Sequence, residues 1–411
     1  MPPLFRTPHR ARRASERGAI LVQTAVVLIG LIGFSSFVVD YGVLWTARRQ
    51  AQNAADAGAL AAAASYGYGG GDESRARAAA LAAARANLVW GEAPDVTDAD
   101  VVFTNSCPAG SPEAGGGRCV RVDVYRNQTR GNPLPTILGN VVGITEQGVR
   151  ATATAEVLYA NAASCVKPLA VLDKWIEAQS PAWDPDDVFE RYTPGVPGTL
   201  IPNPDSYQPP LPGNNGSGLD LEFDYGLQMR LARRQNGMLD SANWYFPIQL
   251  DCPGNPVNSA QCVVWNIQNC SPQGVGSGDV VQAQSGGVDG ALFLAPALAT
   301  LVDADAAAFW DGGANGGLGG VAGGCMAGGG CSISPRIIAL PVVDPDVWGQ
   351  QSAISADDHP SVNVTRVVGL FIEQLNGTEI VGRLMPYPSL PATNGLGVAG
   401  SAFVVSTLLV R

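Results

Sequence analysis

Residues 18–39 read GAILVQTAVVLIGLIGFSSFVV, and residues 40–65 continue without a break as DYGVLWTARRQAQNAADAGALAAAAS. No charged residue lies between Arg17 and Asp40. About 20 apolar residues at 1.5 Å rise each cross the hydrocarbon core of a bilayer, so this stretch reads as a transmembrane helix. In front of it stand Arg6, Arg10, Arg12, Arg13 and Arg17 against one acid, Glu16, whereas the far side opens with Asp40 and meets Arg48 and Arg49 two turns later. Positive charge stays on the cytoplasmic side, which predicts a cytoplasmic N-terminus and an exported remainder. Tyr41 and Trp45 fall where the helix leaves the membrane, in the wet interfacial zone that amphipathic rings favour.

The helix is expected to run on past the membrane. From Trp45 to Ser65 there is no proline and one glycine, Gly58, and alanine, the best helix former, dominates. Small residues recur every fourth position at Ala51, Ala55, Ala59 and Ala63, and again at Ala54, Gly58 and Ala62. Such ridges admit a second backbone at close range; the plainer reading is a solvated alanine helix. Asp56 lies four residues from Gln52 and three from Asn53, spacings that put all three on one face. That polar seam is either a partner-facing contact or an ordinary wet face.

Two processing readings compete with a retained anchor. A secretory signal peptide has a shorter apolar core, about 7 to 15 residues, with a small-residue cleavage site directly after it; here Asp40, Tyr41 and Trp45 follow instead. A pilin-like leader is cut after a glycine with a glutamate five residues on. Gly18 is placed for this, but Gln23 stands at the fifth position. A glutamine cannot answer the charged amine of a neighbouring subunit inside an apolar stack, where an unpaired charge is expensive.

In its order of parts, an apolar span, then VVDYG, an arginine pair and QNAADAGALAAAA, the segment over residues 16–66 resembles the TadG-like proteins of bacterial Flp pilus (tight adherence, Tad) assembly systems. Farther on, SPRIIALPVVDPD (334–346) and VTRVVGLFIEQLNGTEIVGRLMPYP (364–388) resemble the carboxyl-terminal portion of some of them. The resemblance implies a structural or accessory component of a pilus-assembly or adhesion apparatus, single-pass in the bacterial inner membrane, with a periplasmic body and other assembly components as partners. A helix–helix homo- or hetero-oligomer is a further expectation. The positions matching the family are Asp40, Gly42, Gln52, Ala54, Ala55, Asp56 and Leu60, none of them catalytic. Many members carry a von Willebrand A module with a DxSxS metal motif; this chain has no DxSxS, so that mechanism does not carry over.

The rest of the chain sets the bounds. Hydrophobic residues make up 46% against 15% charged, which is a globular composition, and 411 residues leave room for two or three domains. A net charge of −11, with five arginines concentrated in the short tail before the membrane, argues against a nucleic-acid partner, which needs a basic face. The expected fold class is α+β in four parts: a basic tail at 1–17, the transmembrane and extended helix at 18–66, a small α+β domain at 67–161, and a β-rich outer domain at 162–411 with long Pro/Gly-rich loops. Asp72 or Ser74 caps a second alanine-rich helix running to about Leu88. VVFT, RCVRVDVY and VRATATAEVLY read as strands, and NPLPTILG as a short helical turn. In the outer part NWYFPIQL, CVVWNI, PRIIALPVV, VTRVVGLFI and SAFVVSTLLV read as strands, with a helix near GALFLAPALATLVDADAAAFW. The proline-crowded stretch 193–218 reads as irregular.

Eight cysteines fit an oxidising compartment. Expected bridges are Cys107 with Cys119, Cys325 with Cys331, and a pair drawn from Cys252, Cys262 and Cys270. With no CxxC and only His9 and His359 as histidines, no zinc site is expected, nor any cofactor. His359, in DDHPS, lacks a nucleophile elbow. Acids cluster at Asp184/Asp186/Asp187, Asp220/Glu222/Asp224, Asp303/Asp305 and Asp344/Asp346. Opposed across a cleft such acids would serve an exported carboxylate-dependent hydrolase, the third reading after an anchored assembly component and a filament subunit cut after Gly18. Capping and turn duty is the simpler use. DGGANGGLGGVAGG has no lysine after it and is no phosphate loop.

Overall fold

The computed structural model describes residues 13–68, 71–108, 118–160, 162–179, 182–193, 196, 198–211, 214, 216–235, 240–284, 290–314, 317–327, 333–352, 361–388 and 403–410. Helix α1 runs over Arg13–Tyr68 and α2 over Glu73–Ala86. Asp72 starts α2 by accepting the backbone N–H groups of Ser74 and Arg75 at 2.9 and 3.2 Å, which satisfies two of the donors a helix start leaves open. Strands β1 (Val101–Thr104), β2 (Arg118–Arg126) and β3 (Val149–Ala160) follow. NPLPTILG is extended rather than helical over its first half: Leu134 and Pro135 pair with Gln147 and Glu146, and a 3-10 turn comes later at Gly139–Val142. Leu134 precedes a proline, which pushes it out of the helical region.

The outer part contributes β4 (Leu169–Leu172), β5 (Gln228–Arg233), β6 (Trp244–Pro247), α3 (Ala260–Gln268), β7 (Val280–Gln282), α4 (Ala295–Asp303), β8 (Ile337–Val343), β9 (Ser361–Asn376), β10 (Glu379–Met385) and β11 (Val404–Val410). Six of these strands close on themselves in the order β9-β8-β4-β6-β5-β10, with β10 returning to β9. β8–β4 and β6–β5 are parallel and the other four pairings antiparallel. Closure leaves no edge among these six strands, and β7 is added outside on β9. Burial on both faces explains why IIALPVV is apolar without alternation: β8 is buried at every position. The β9–β10 hairpin turns at Gly377, whose φ of 64 suits a residue without a side chain.

CVVWNI is helix, not strand. Ser259 accepts the Cys262 N–H at 3.1 Å as an N-cap, and the buried residues Cys262, Val263, Asn266 and Ile267 recur with the period of a helix. A short apolar run carries too few residues for the two periods to separate.

A second sheet has the strand order β1-β2-β3-β11, with Tyr387–Pro388 beyond β11. β11 is antiparallel to β3, from Val404 opposite Ala160 to Val410 opposite Thr154. Strand 404–410, read as part of the outer domain, thus completes the sheet that holds residues 154–160. By compactness the chain divides into two units, Met1–Ala59 with Ala80–Val102 and Arg121–Ala153, and Leu60–Ala79 with Phe103–Val120 and Thr154–Arg411.

The loop between β4 and β5 is pinned to the barrel through one carboxylate. Asp173, wholly buried, accepts from Leu219 N at 2.8 Å, Lys174 N at 3.0 Å, the Tyr207 hydroxyl at 2.7 Å, Thr365 Oγ1 at 2.9 Å and Arg366 Nε at 3.0 Å. A buried charge is tolerated when every lone pair is answered in this way. Burial and the adjacent Asp173 charge push the Tyr207 hydroxyl far above its usual pKa, so it remains a donor.

Candidate functional site

Along α1 the character of the surface changes at one residue. From Ile20 to Val39 the large apolar side chains are exposed, for example Leu21 at 71%, Ile29 at 69% and Phe34 at 68%. Asp40 is 9% exposed, and past it Val43, Ala47, Ala51, Ala54, Ala55, Ala59, Ala62 and Ala63 form a buried stripe. Gly58 belongs to this stripe because a Cβ there would stand 3.2 Å from Ala80 O, Ala84 Cβ and Val122 Cγ1. The small-residue ridges are therefore covered by this chain itself.

Asp40 is held by backbone. Its carboxylate accepts Ile137 N–H at 2.7 Å and Leu138 N–H at 3.3 Å, charge-assisted bonds stronger than neutral ones. Gly139 follows closely: a Cβ there would meet Asp40 Oδ2 and Ile144 O at 3.0 Å. One turn on, Trp45 is exposed with the Arg49 guanidinium 4.3 Å from its ring centre, and Tyr41 is stacked 5.8 Å from Phe37. Gly42 is exposed and faces open space.

Farther along, Gln52 Nε2 donates to Asp56 Oδ1 at 2.8 Å and to Thr152 O on β3 at 3.1 Å. Asp56 thus orients an amide that ties the helix to the strand, while Asn53 faces solvent. Gln50 accepts the Trp90 N–H at 2.8 Å. Ala54 and Ala55 are wholly buried and Leu60 half-buried. At the helix end Tyr68 donates to Val405 O at 3.0 Å, and burial pushes its hydroxyl up to about 12. The loop residues that grip Asp40 were not singled out from the sequence; the available signal was GNPLPTILGNVVGIT, residues 131–145, which carries no charge.

Cys107 and Cys119 form a disulfide, Cα atoms 5.5 Å apart. Buried Glu156 places a carboxylate oxygen within 4.8 Å of both sulfurs, but with these joined to each other they are not free to ligate a cation. Cys252 bridges Cys262, and Cys165 bridges Cys270. Cys331, the expected partner of Cys325, lies outside the described residues, as does His359.

The acidic clusters serve turns and helix starts or pair with distant parts of the chain. Asp184 Oδ1 accepts from Asp186 N, and Asp187 from Asp184 N. Asp220 caps the turn at Glu222, and Asp224 is ion-paired to Lys174 at 2.8 Å. Asp305 accepts from Cys325 N, and Asp344 from Asp346 and Val347 N. Burial raises the Asp344 pKa despite those bonds. A pocket of about 280 Å³ lined by Gln249, Asp251, Val257, Gln273 and Ser361 contains one carboxylate, Asp251. None of the acid clusters read from the sequence lines it.

A helix that leaves a folded body with its apolar side chains bare, the one segment among the described residues long and apolar enough to cross a bilayer, has the form of a single-pass membrane anchor. Over this helix the comparison with known families is specific: the family described as "Putative Flp pilus-assembly TadE/G-like" matches residues 18–65. Through that segment the chain is similar to Flp pilus-assembly proteins. No curated protein and no solved structure matches the chain.

Proposed function

We propose that this protein is a membrane-anchored structural or accessory component of a Flp-type (Tad) pilus-assembly or surface-adhesion apparatus. The single observation carrying the reading is that the family match, residues 18–65, coincides with a helix whose first half is bare and apolar and whose second half is packed. The arginine tail before the span and the bridged cysteines after it support an inner-membrane location, N-terminus in the cytoplasm and body in the periplasm. Its work is to hold or present rather than to catalyse, which agrees with acids engaged in caps, turns and ion pairs. The partners on this reading are other assembly components.

The test is crosslinking in intact cells, extraction of the full chain from membranes, and identification of what accompanies it. Co-purification of pilus-assembly components, with the N-terminal peptide still present, is the expected result. Recovery of a mature chain beginning just after Gly18 and incorporated in a filament would replace this reading with a subunit one.

A further inference from the structure

We propose that loop 136–144 is a second membrane contact, lying in the headgroup and upper acyl zone of the same bilayer that residues 18–39 cross; it rests on the reading of that segment as a span. The loop is closed on itself: Thr136 Oγ1 donates to Ile144 O at 2.7 Å and Ile144 N to Gly139 O at 2.9 Å, with Gly143 in the left-handed region at φ 84. So built, it holds Ile137 54% and Ile144 55% exposed, with Leu138 half-buried. Single exposed isoleucines on a protein surface are ordinary. These two share one tied loop inside a run of fifteen uncharged residues, 131–145.

The depth of the loop is set by its clasp. Ile137 N and Leu138 N bond to Asp40, the first charged residue after the span. Helical side chains tilt toward the helix N-terminus, so the Asp40 carboxylate, and the loop on it, reach back toward the lipid rather than away from it. Tyr41 and Trp45, exposed on the next turn, mark the same level as interfacial. Apolar groups beside paired polar backbone, at the height where a bilayer turns from hydrocarbon to headgroup, fit a lipid surface. Exposed apolar surface bonded to the foot of an anchor is desolvated by the membrane already present, without a further partner.

The experiment uses the full chain in vesicles of phosphatidylethanolamine and phosphatidylglycerol, with the photo-crosslinking residue p-benzoyl-phenylalanine placed singly. The test variants are Ile144→p-benzoyl-phenylalanine and Ile137→p-benzoyl-phenylalanine. Phe34 is the reference inside the span, and Asn53, exposed about 20 Å farther along α1 than Asp40, the reference outside it. Covalent lipid adducts are read by mass spectrometry after confirming the thermal transition of each variant; if one loop variant does not fold, the other carries the test. The expected result is lipid adduct at 34 and, several-fold above that at 53, at 144 and 137. Lipid adduct at 34 with the loop no higher than 53 overturns the inference and leaves the span standing. Adducts from the loop to a second copy or to another protein also overturn it. No lipid adduct at 34 removes the span and the inference together.

Discussion

Helix α1 is one continuous element with two surfaces. Between Ile20 and Val39 it carries bare apolar side chains on every side, and among the described residues a Cβ on Gly30 or Gly33 would meet nothing within 4 Å. Between Val43 and Ala63 one stripe is sealed while Gln52, Asp56 and Arg48 occupy the remaining face. The first half needs apolar surroundings, because large apolar side chains on every side are satisfied by hydrocarbon or by packed protein, each contributing about 1.5–3 kcal/mol when buried. The second half needs a close neighbour, because alanines bury little area and gain by letting backbones come within contact distance. Hydropathy and side-chain size both separate the two: Arg48, Arg49, Gln52, Asn53 and Asp56 all fall in the second half, and the large apolar side chains crowd the first.

The comparison breaks most decisively at the centre of the bare half. Ile29→Asp places a charge mid-span at a cost of about 3 kcal/mol on insertion scales. The variant is expected to leave the membrane fraction while its disulfides and thermal transition survive; a protein still resistant to alkaline extraction would show that a charge at position 29 does not decide retention.

The mirror experiment is Gly58→Leu in the packed half. Its Cβ would start 3.2 Å from three atoms of α2 and β2, and overpacking of this kind costs about 1–3 kcal/mol. The melting temperature should fall by several degrees with membrane retention intact. An unchanged melting temperature would mean the stripe is looser than its burial implies.

At the junction, Asp40→Ala removes the acceptor shared by Ile137 and Leu138. Unanswered backbone donors cost about 1–3 kcal/mol, here confined to one loop. Hydrogen exchange at those two amides should quicken roughly tenfold or more, a factor that about 1.4 kcal/mol supplies, with the barrel amides unaffected. Slow exchange retained in the variant would separate the loop from the helix.

These features were unequally visible in the sequence. The span, the alanine ridges, and strands such as 149–160 and 337–343 follow from period and composition, which act locally. What covers Gly58 does not, since any backbone could have come that close. Likewise the pairing of 404–410 with 154–160 joins residues about 250 positions apart, and no local pattern carries that register. CVVWNI misled because six residues fit either period until a serine cap and a recurring buried face decide. At the candidate site, Asp40 was marked by its place after an apolar run and by family resemblance. Its bond to the loop was hidden because the donors are backbone N–H groups, which every residue but proline possesses.

The smallest expected effect is the sharpest on what the bare half touches. Gly33→Leu, in the span, adds a large side chain where nothing of this chain stands within 4 Å. Stability of the body should move by less than about 0.5 kcal/mol, as for surface changes away from packed features, and retention in the membrane should hold, since leucine suits hydrocarbon. Gly30 and Gly33 are three residues apart on one face, a spacing that admits a second membrane helix closely. Loss of a crosslinked partner in Gly33→Leu, with melting temperature and retention unchanged, would place a helix contact on that face within the bilayer. Retention of every partner would assign the glycine face to lipid alone and leave the folded body as the part of the molecule that meets other proteins.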